Sequence, residues 1–115
     1  MVNVYRSETW WVNLNPPGKG KEIHGKRPAL IISEDEINNC PADLVIVLPI
    51  TTTFRNIPSH IKVDPPDGGF KKTSYVKCDQ IRTISKKRLI DKIGKISEET
   101  MSEIEYVLKI ILSLS

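Results

Sequence analysis

Several features that would announce a function at once are missing from this sequence. Its two cysteines, Cys40 and Cys78, stand alone, without the CxxC or Cys/His spacing of a zinc site. They read as free thiols with no assigned chemistry. With no other metal-ligand cluster in the chain, neither a metal nor a cofactor is expected. No apolar run approaches the roughly eighteen residues a transmembrane helix needs. The first six residues turn polar too soon for the hydrophobic segment of a signal peptide. The expected location is therefore the cytoplasm, with no membrane partner. Internal repeats, low-complexity tracts and linkers are absent too, leaving one domain over residues 1–115, large enough for a modest core.

What is present is ordinary in amount and informative in distribution. Apolar residues make up 39% and charged residues 27%, as in a soluble globular protein. The net charge of +3 permits an anionic partner without demanding one. Lys19, Lys21, Lys26 and Arg27 gather in one stretch, and a second basic group runs from Lys71 to Arg88. Acids gather at residues 34–36 and 98–105, so a basic face and a more acidic end are expected.

Along the chain, residues 8–14 alternate as a half-buried strand, with Trp10, Val12 and Leu14 inward and Thr9, Trp11 and Asn13 outward. Asn15-Pro16-Pro17-Gly18-Lys19-Gly20-Lys21 is loop by its Pro/Gly chemistry. Apolar runs at 28–33 and 44–50 read as strands joined by a connection with one helical turn. Residues 59–63 alternate again, with Ile61 and Val63 inward and His60 and Lys62 outward. After the turn at 64–69, a strand from Ser74 is expected to continue through Thr83, followed by a turn capped by Ser85 and a last strand at 90–96. From Ser97 the period becomes helical, with a stripe of Met101, Ile104, Leu108 and Ile111 widened by Val107 and Leu112. Ser97 suits the N-cap, and Glu98 and Glu99 suit the helix dipole. The pattern predicts a mainly β chain with a C-terminal α-helix, built as a small barrel or highly curved sheet.

The chain is organised around Glu22-Ile23-His24-Gly25-Lys26-Arg27-Pro28-Ala29-Leu30-Ile31-Ile32-Ser33, where a charged loop passes directly into a buried strand. Pro28 biases Arg27 toward an extended backbone. A guanidinium held at a strand start is aimed, and an aimed planar fork suits phosphate.

Trp11-Val12-Asn13-Leu14-Asn15-Pro16, Gly20-Lys21-Glu22 with Gly25-Lys26-Arg27-Pro28-Ala29, Pro49-Ile50-Thr51-Thr52 and Asp79-Gln80-Ile81-Arg82-Thr83 occur in that order. Together they resemble the MazF/PemK family of toxin endoribonucleases from type II toxin–antitoxin systems. The resemblance runs from about Glu8 into the C-terminal helix. It implies a homodimer of SH3-like barrels that cleaves single-stranded RNA, chiefly mRNA, at short motifs without a metal. It also implies neutralisation by a cognate antitoxin protein. By the same resemblance Arg27 takes the catalytic-arginine role and Thr51 that of the catalytic threonine. Lys21, Glu22, Thr52 and Gln80 fall at the RNA groove. Trp11, as an outward tryptophan, and Lys19, in the basic loop, are the candidates for antitoxin binding. Asn13 stands where the family often has an acid.

The chemistry is sensible in its own right. Metal-free RNA cleavage uses the 2′-OH as internal nucleophile and passes through a phosphorane carrying extra negative charge. An aimed arginine fork then helps the transition state more than the ground state. A threonine hydroxyl can add a hydrogen bond to a phosphate oxygen. Neither is an ordinary general base, and for that role Glu22 and His24 are the local candidates and His60 a distant one. Thr51 also has a plain reading as β chemistry at a strand end, and Gln80 one as a partner for backbone groups. Two rival functions stand beside the nuclease: a protein-binding gyrase poison of the CcdB type, and a non-catalytic RNA-binding barrel. The first has no use for an anion clamp; the second differs only in lacking cleavage.

Overall fold

The computed structural model describes residues 3–15, 20 and 22–115. The alternating stretch forms β1 (Glu8–Asn13), and the run after the basic loop forms β2 (Lys26–Ile31). A single turn, α1 (Asp35–Asn38), leads to β3 (Leu44–Thr51) and then β4 (His60–Val63). Three strands follow, β5 (Ser74–Lys77), β6 (Arg82–Ser85) and β7 (Leu89–Lys95), before the helix α2 (Glu98–Ile111). The expected mainly β chain with a C-terminal helix is what the structure has. Among the described residues no helix is long and apolar enough to cross a membrane.

The strands pair antiparallel in the order β4-β5-β3-β2-β1-β7, with β6 also on β3. Among the described residues no pairing joins the two ends of this path, so of the two expected forms, a small barrel or a highly curved sheet, the sheet does not close completely. Register shifts after Thr9 and after Trp11 bend β1 against β7. The near-continuous apolar runs of β2 and β3 reflect cover on both faces. Ala29, Ile31, Val45 and Val47 join a cluster with Trp10, Val12 and Leu14, whereas Leu30, Leu48 and Ile50 join one with Val76, Met101 and Ile104.

The strand expected over 74–83 is broken. Its first part pairs with Ile50 and Thr51, its second with residues 44–47, and a 3₁₀ turn at Cys78–Gln80 shifts the chain between them. Pro49 lies where the partner changes, so neither strand requires an N–H from it. Thr9, expected outward, is buried: it pairs with Gly94, and its hydroxyl donates to the Gly68 carbonyl at 2.7 Å. The turn over Asp67–Gly69 covers this side of β1, and a Cβ on Gly94 would lie 2.9 Å from the Gly68 oxygen. The helical stripe holds for Met101 and Ile104 and half-holds for Val107 and Leu108, but Ile111 and Leu112 are exposed. The last turn of α2 has run past the sheet it covers. Ser97 caps the helix as expected, its side chain accepting from Thr100 N–H.

Candidate active site

Arg27 lies opposite Val12 near the start of β2, and Pro28 lies opposite Trp11. The chain enters this strand through Gly25, whose φ of 86° suits glycine, and the Gly25 carbonyl accepts from Leu14 N–H at 2.8 Å. Arg27 folds back on that turn, with its Nε–H donating to the His24 carbonyl at 3.0 Å. One edge of the guanidinium is thus occupied, which fixes its plane and leaves the two terminal nitrogens for an anion.

Arg27 helps line a cavity of about 220 Å³ together with Trp11, Lys26, Thr51, Thr52 and Ser74, among others. Trp11 is 37% exposed, as the alternation required. The Lys26 ammonium stands 5.6 Å from its ring centroid, a cation–π contact on the cavity rim. Thr51 ends β3 and is only 9% exposed. Its Oγ1 accepts from Thr53 N–H at 3.1 Å, so the hydroxyl proton is left to donate. Two residues that carry donors of different chemistry therefore line one cavity, Arg27 cationic and exposed, Thr51 neutral and nearly buried.

Glu22 and Gln80 line a second cavity, of about 340 Å³, with Asp79, Ile81 and Arg82. Here Gln80 Oε1 accepts from Ile23 N–H at 2.9 Å, and Arg82 Nη1 donates to the Ile23 carbonyl at 2.8 Å. The plain reading of Gln80, as a partner for backbone, applies to its carbonyl oxygen. The His24 ring is exposed, and it is the carbonyl of that residue that touches Arg27. Lys19 and Lys21 lie outside the described residues. Arg88 Nη1 donates to the Asn13 carbonyl at 3.1 Å and also to that of Asn15, anchoring the exit from β1.

Sequence reasoning did not single out Lys26 or Ser74 for the cavity, although Lys26 was legible as the neighbour of Arg27, near Trp11 in the register. His60 was expected outward, and its imidazole is only 4% exposed. The loop residues Phe54, Ile57 and Pro58, with Tyr75 from β5, close over that side of β4 around a cavity of about 280 Å³. Burial lowers the His60 pKa and outweighs the raising effect of Asp79, 3.4 Å from Nε2, while Lys77 and Arg55 lower it further. The His60 ring is thus covered and its pKa held below the usual histidine value, and alternation alone did not show the loop above it.

A family model for PemK-like, MazF-like toxins of type II toxin–antitoxin systems matches residues 5–112. The chain is 36% identical over 113 residues to Endoribonuclease EndoA of Bacillus subtilis, covering 96% of each. Endoribonuclease MazF9 of Mycobacterium tuberculosis is 29% identical over 114 residues, covering 95% of this chain and 96% of that protein. A mycobacterial endoribonuclease solved in complex with its cognate antitoxin superposes with a TM-score of 0.78 at 28% identity, covering 97% of both chains. The crystal structure of MazF from Deinococcus radiodurans reaches a TM-score of 0.86 at 21% identity, covering 99% of this chain and all of that one. The last comparison speaks to the fold alone.

Proposed function

Because the chain belongs to the PemK-like, MazF-like toxin family of type II toxin–antitoxin systems, and is an endoribonuclease by that homology, we propose that it cuts single-stranded RNA at short sequence motifs under the control of a cognate antitoxin protein. The observation that carries this reading is the convergence of Arg27, plane-fixed, and Thr51, with a free hydroxyl proton, on one cavity.

In this reading the scissile phosphate sits against the terminal nitrogens of Arg27, with Thr51 donating to a second oxygen. The 2′-oxygen attacks phosphorus as its proton leaves to a base, the bond to the 5′-oxygen breaks, and that oxygen takes up a proton. The products are a 2′,3′-cyclic phosphate and a 5′-hydroxyl. Because the nucleophile belongs to the substrate, no metal-bound water is required. The charge that grows on the phosphorane oxygens meets donors already aimed, which is where electrostatic catalysis gains most.

Glu22, Thr52, Gln80 and Lys21 are assigned to the RNA path, and Trp11 and Lys19 to the antitoxin. Trp11 lies on the same rim as Arg27, which supports a shared groove. A homodimer belongs to the reading as well, since α2 leaves Tyr106 and Ile110 exposed, with Leu114 exposed just beyond it. A gyrase-type poison has no use for the Arg27–Thr51 pair, and a silent RNA-binding barrel differs from this reading only in lacking cleavage.

The test is to incubate the pure protein with mixed-sequence RNA in excess chelator and map the cut ends. Discrete cuts bearing cyclic phosphate and 5′-hydroxyl are expected, and a 2′-deoxy substitution at the cut nucleotide should abolish them. Cutting that persists on the deoxy substrate would refute the mechanism.

A further inference from the structure

The loop that carries Glu22 and His24 is not free to choose its own position. Ile23 is gripped on both backbone polar groups, its N–H by the Gln80 carbonyl oxygen and its C=O by the Arg82 guanidinium. Its side chain is buried in the cluster with Trp10, Leu14 and Ala29. The next residue, His24, offers the carbonyl on which the Nε–H of Arg27 rests, and the Gly25 carbonyl is tied to Leu14 N–H. A continuous path of hydrogen bonds and peptide units therefore runs from the start of β6 to the guanidinium of Arg27.

We infer that Arg82 is a positioning residue for Arg27, acting through the backbone of Ile23 and His24 to hold the guanidinium plane at the angle the phosphate requires. This rests on the role proposed for Arg27 above. The physical need is plain. Arg27 is exposed, and an exposed arginine without an anchor samples many rotamers. Its one anchor among the described residues is a loop carbonyl, and a loop carbonyl is only as well placed as the loop. Arg82 supplies a charge-assisted hydrogen bond from a strand that itself pairs with β3, where Arg82 lies opposite Val47. The rigid sheet thus reaches the loop through one long side chain. Small displacements of a catalytic group are costly, so a residue acting through the backbone of Ile23 and His24 governs the rate by this route.

The experiment combines a spectroscopic readout that needs no RNA with kinetics that do. Arg82→Met removes the donor and keeps the stem, Arg82→Lys restores a cation, and Gln80→Leu releases Ile23 from the other side. Solvent exchange of the Arg27 Nε–H is followed by NMR in each. In Arg82→Met it should speed up roughly fivefold, as expected when a hydrogen bond of modest net worth loses its support. Single-turnover cleavage at saturating RNA should fall roughly 10- to 100-fold. Affinity for a 2′-deoxy-blocked RNA should change by less than about threefold, separating positioning from direct binding. Arg82→Lys should recover part of both the exchange protection and the rate.

Unchanged exchange at Arg27 in a folded Arg82→Met protein overturns the inference, as does faster exchange with no loss of rate. A loss confined to RNA affinity makes Arg82 a direct binder and overturns it too. If Arg82→Met does not fold, Gln80→Leu and Arg82→Lys carry the test, and failure of all three to fold assigns the group to folding instead. If the wild-type protein cuts no RNA, the proposed function falls while the exchange measurement still decides whether Arg82 orders Arg27.

Discussion

Asp67 offers a perturbation whose size is readable from geometry. Its carboxylate takes Ser97 N–H at 2.7 Å on one oxygen, and the Ser97 and Thr100 hydroxyls at 2.9 and 2.7 Å on the other. The turn over β7 is thereby fastened to the first turn of α2, whose Met101 and Ile104 cover one of the two cores. Burial alone pushes the Asp67 pKa up, but the donors from Thr100 and Ser97 outweigh it and hold the carboxyl below its ordinary value. Asp67→Ala removes three bonds, and at about 1 kcal/mol net for each the expected loss is about 3 kcal/mol. For a chain of this size that corresponds to a melting temperature roughly 10 °C lower. Asp67→Asn keeps the acceptor for Ser97 N–H but not the oxygen that takes both hydroxyls, and should lose about two thirds as much. A carboxyl with a depressed folded-state pKa stabilises fully above its unfolded value of roughly 4 and loses that contribution as pH falls through the folded value. Thermal unfolding followed by circular dichroism, at one protein concentration, should show the wild-type advantage at pH 7 and its contraction in acid. An Asp67→Ala melting temperature equal to wild type at pH 7, or a gap that does not narrow as pH falls below the ordinary carboxylate range, would refute the argument.

Three further outcomes follow from the site and its frame. Arg27→Ala should keep the fold and lose cleavage by about 10²–10³, the cost of one preorganised donor, and Arg27→Lys should fail as well; Thr51→Ser should retain more rate than Thr51→Val, and equal rates for the last two would remove the hydroxyl from the mechanism. Gly94→Ala drives a Cβ to 2.9 Å from backbone atoms of Gly68 and Gly69, so urea denaturation should find it about 1–3 kcal/mol less stable than wild type. Titrating an acidic antitoxin peptide into Arg27→Ala protein bound to labelled RNA should release the RNA, with RNA binding the more salt-sensitive of the two; a stable ternary complex would sink the shared groove.

Local pattern carried most of the fold because β1 and α2 are written by repeats of two and 3.6 residues and β2 and β3 by continuous apolar runs. It failed where a turn or loop changes what a face meets. Thr9 and His60 both alternate outward, and both are covered: Thr9 by a turn far along the chain, and His60 by the loop just before it together with Tyr75 of β5. The break after Lys77 was invisible because nothing within residues 74–83 demands it. The reason lies across the sheet at Pro49, where the ladder changes partners. Ile111 and Leu112 continue the helical stripe faithfully, but both are exposed. The candidate site divides in the same way. Arg27 was legible because Pro28 and the loop-to-strand junction are local, whereas the grip of Gln80 and Arg82 on Ile23 spans nearly sixty residues of chain.

The openness of the Arg27 cavity bears on how such a site can work at all. Two unit charges about 4 Å apart attract by only about 1 kcal/mol in bulk water but by about 4 kcal/mol at an effective dielectric constant of 20. An exposed guanidinium in the free protein therefore holds little of the stabilisation that the phosphorane must receive. Two features supply the difference in the proposed reading. The bound RNA, lying over the cavity that Arg27 and Thr51 line, excludes water from the phosphate it brings. The plane of Arg27 is already fixed by the His24 carbonyl, so closing the site requires no search for the reactive orientation. Substrate supplies the dry environment and the protein supplies the aim, which is why the hydrogen bonds behind Arg27 matter as much as the charge in front.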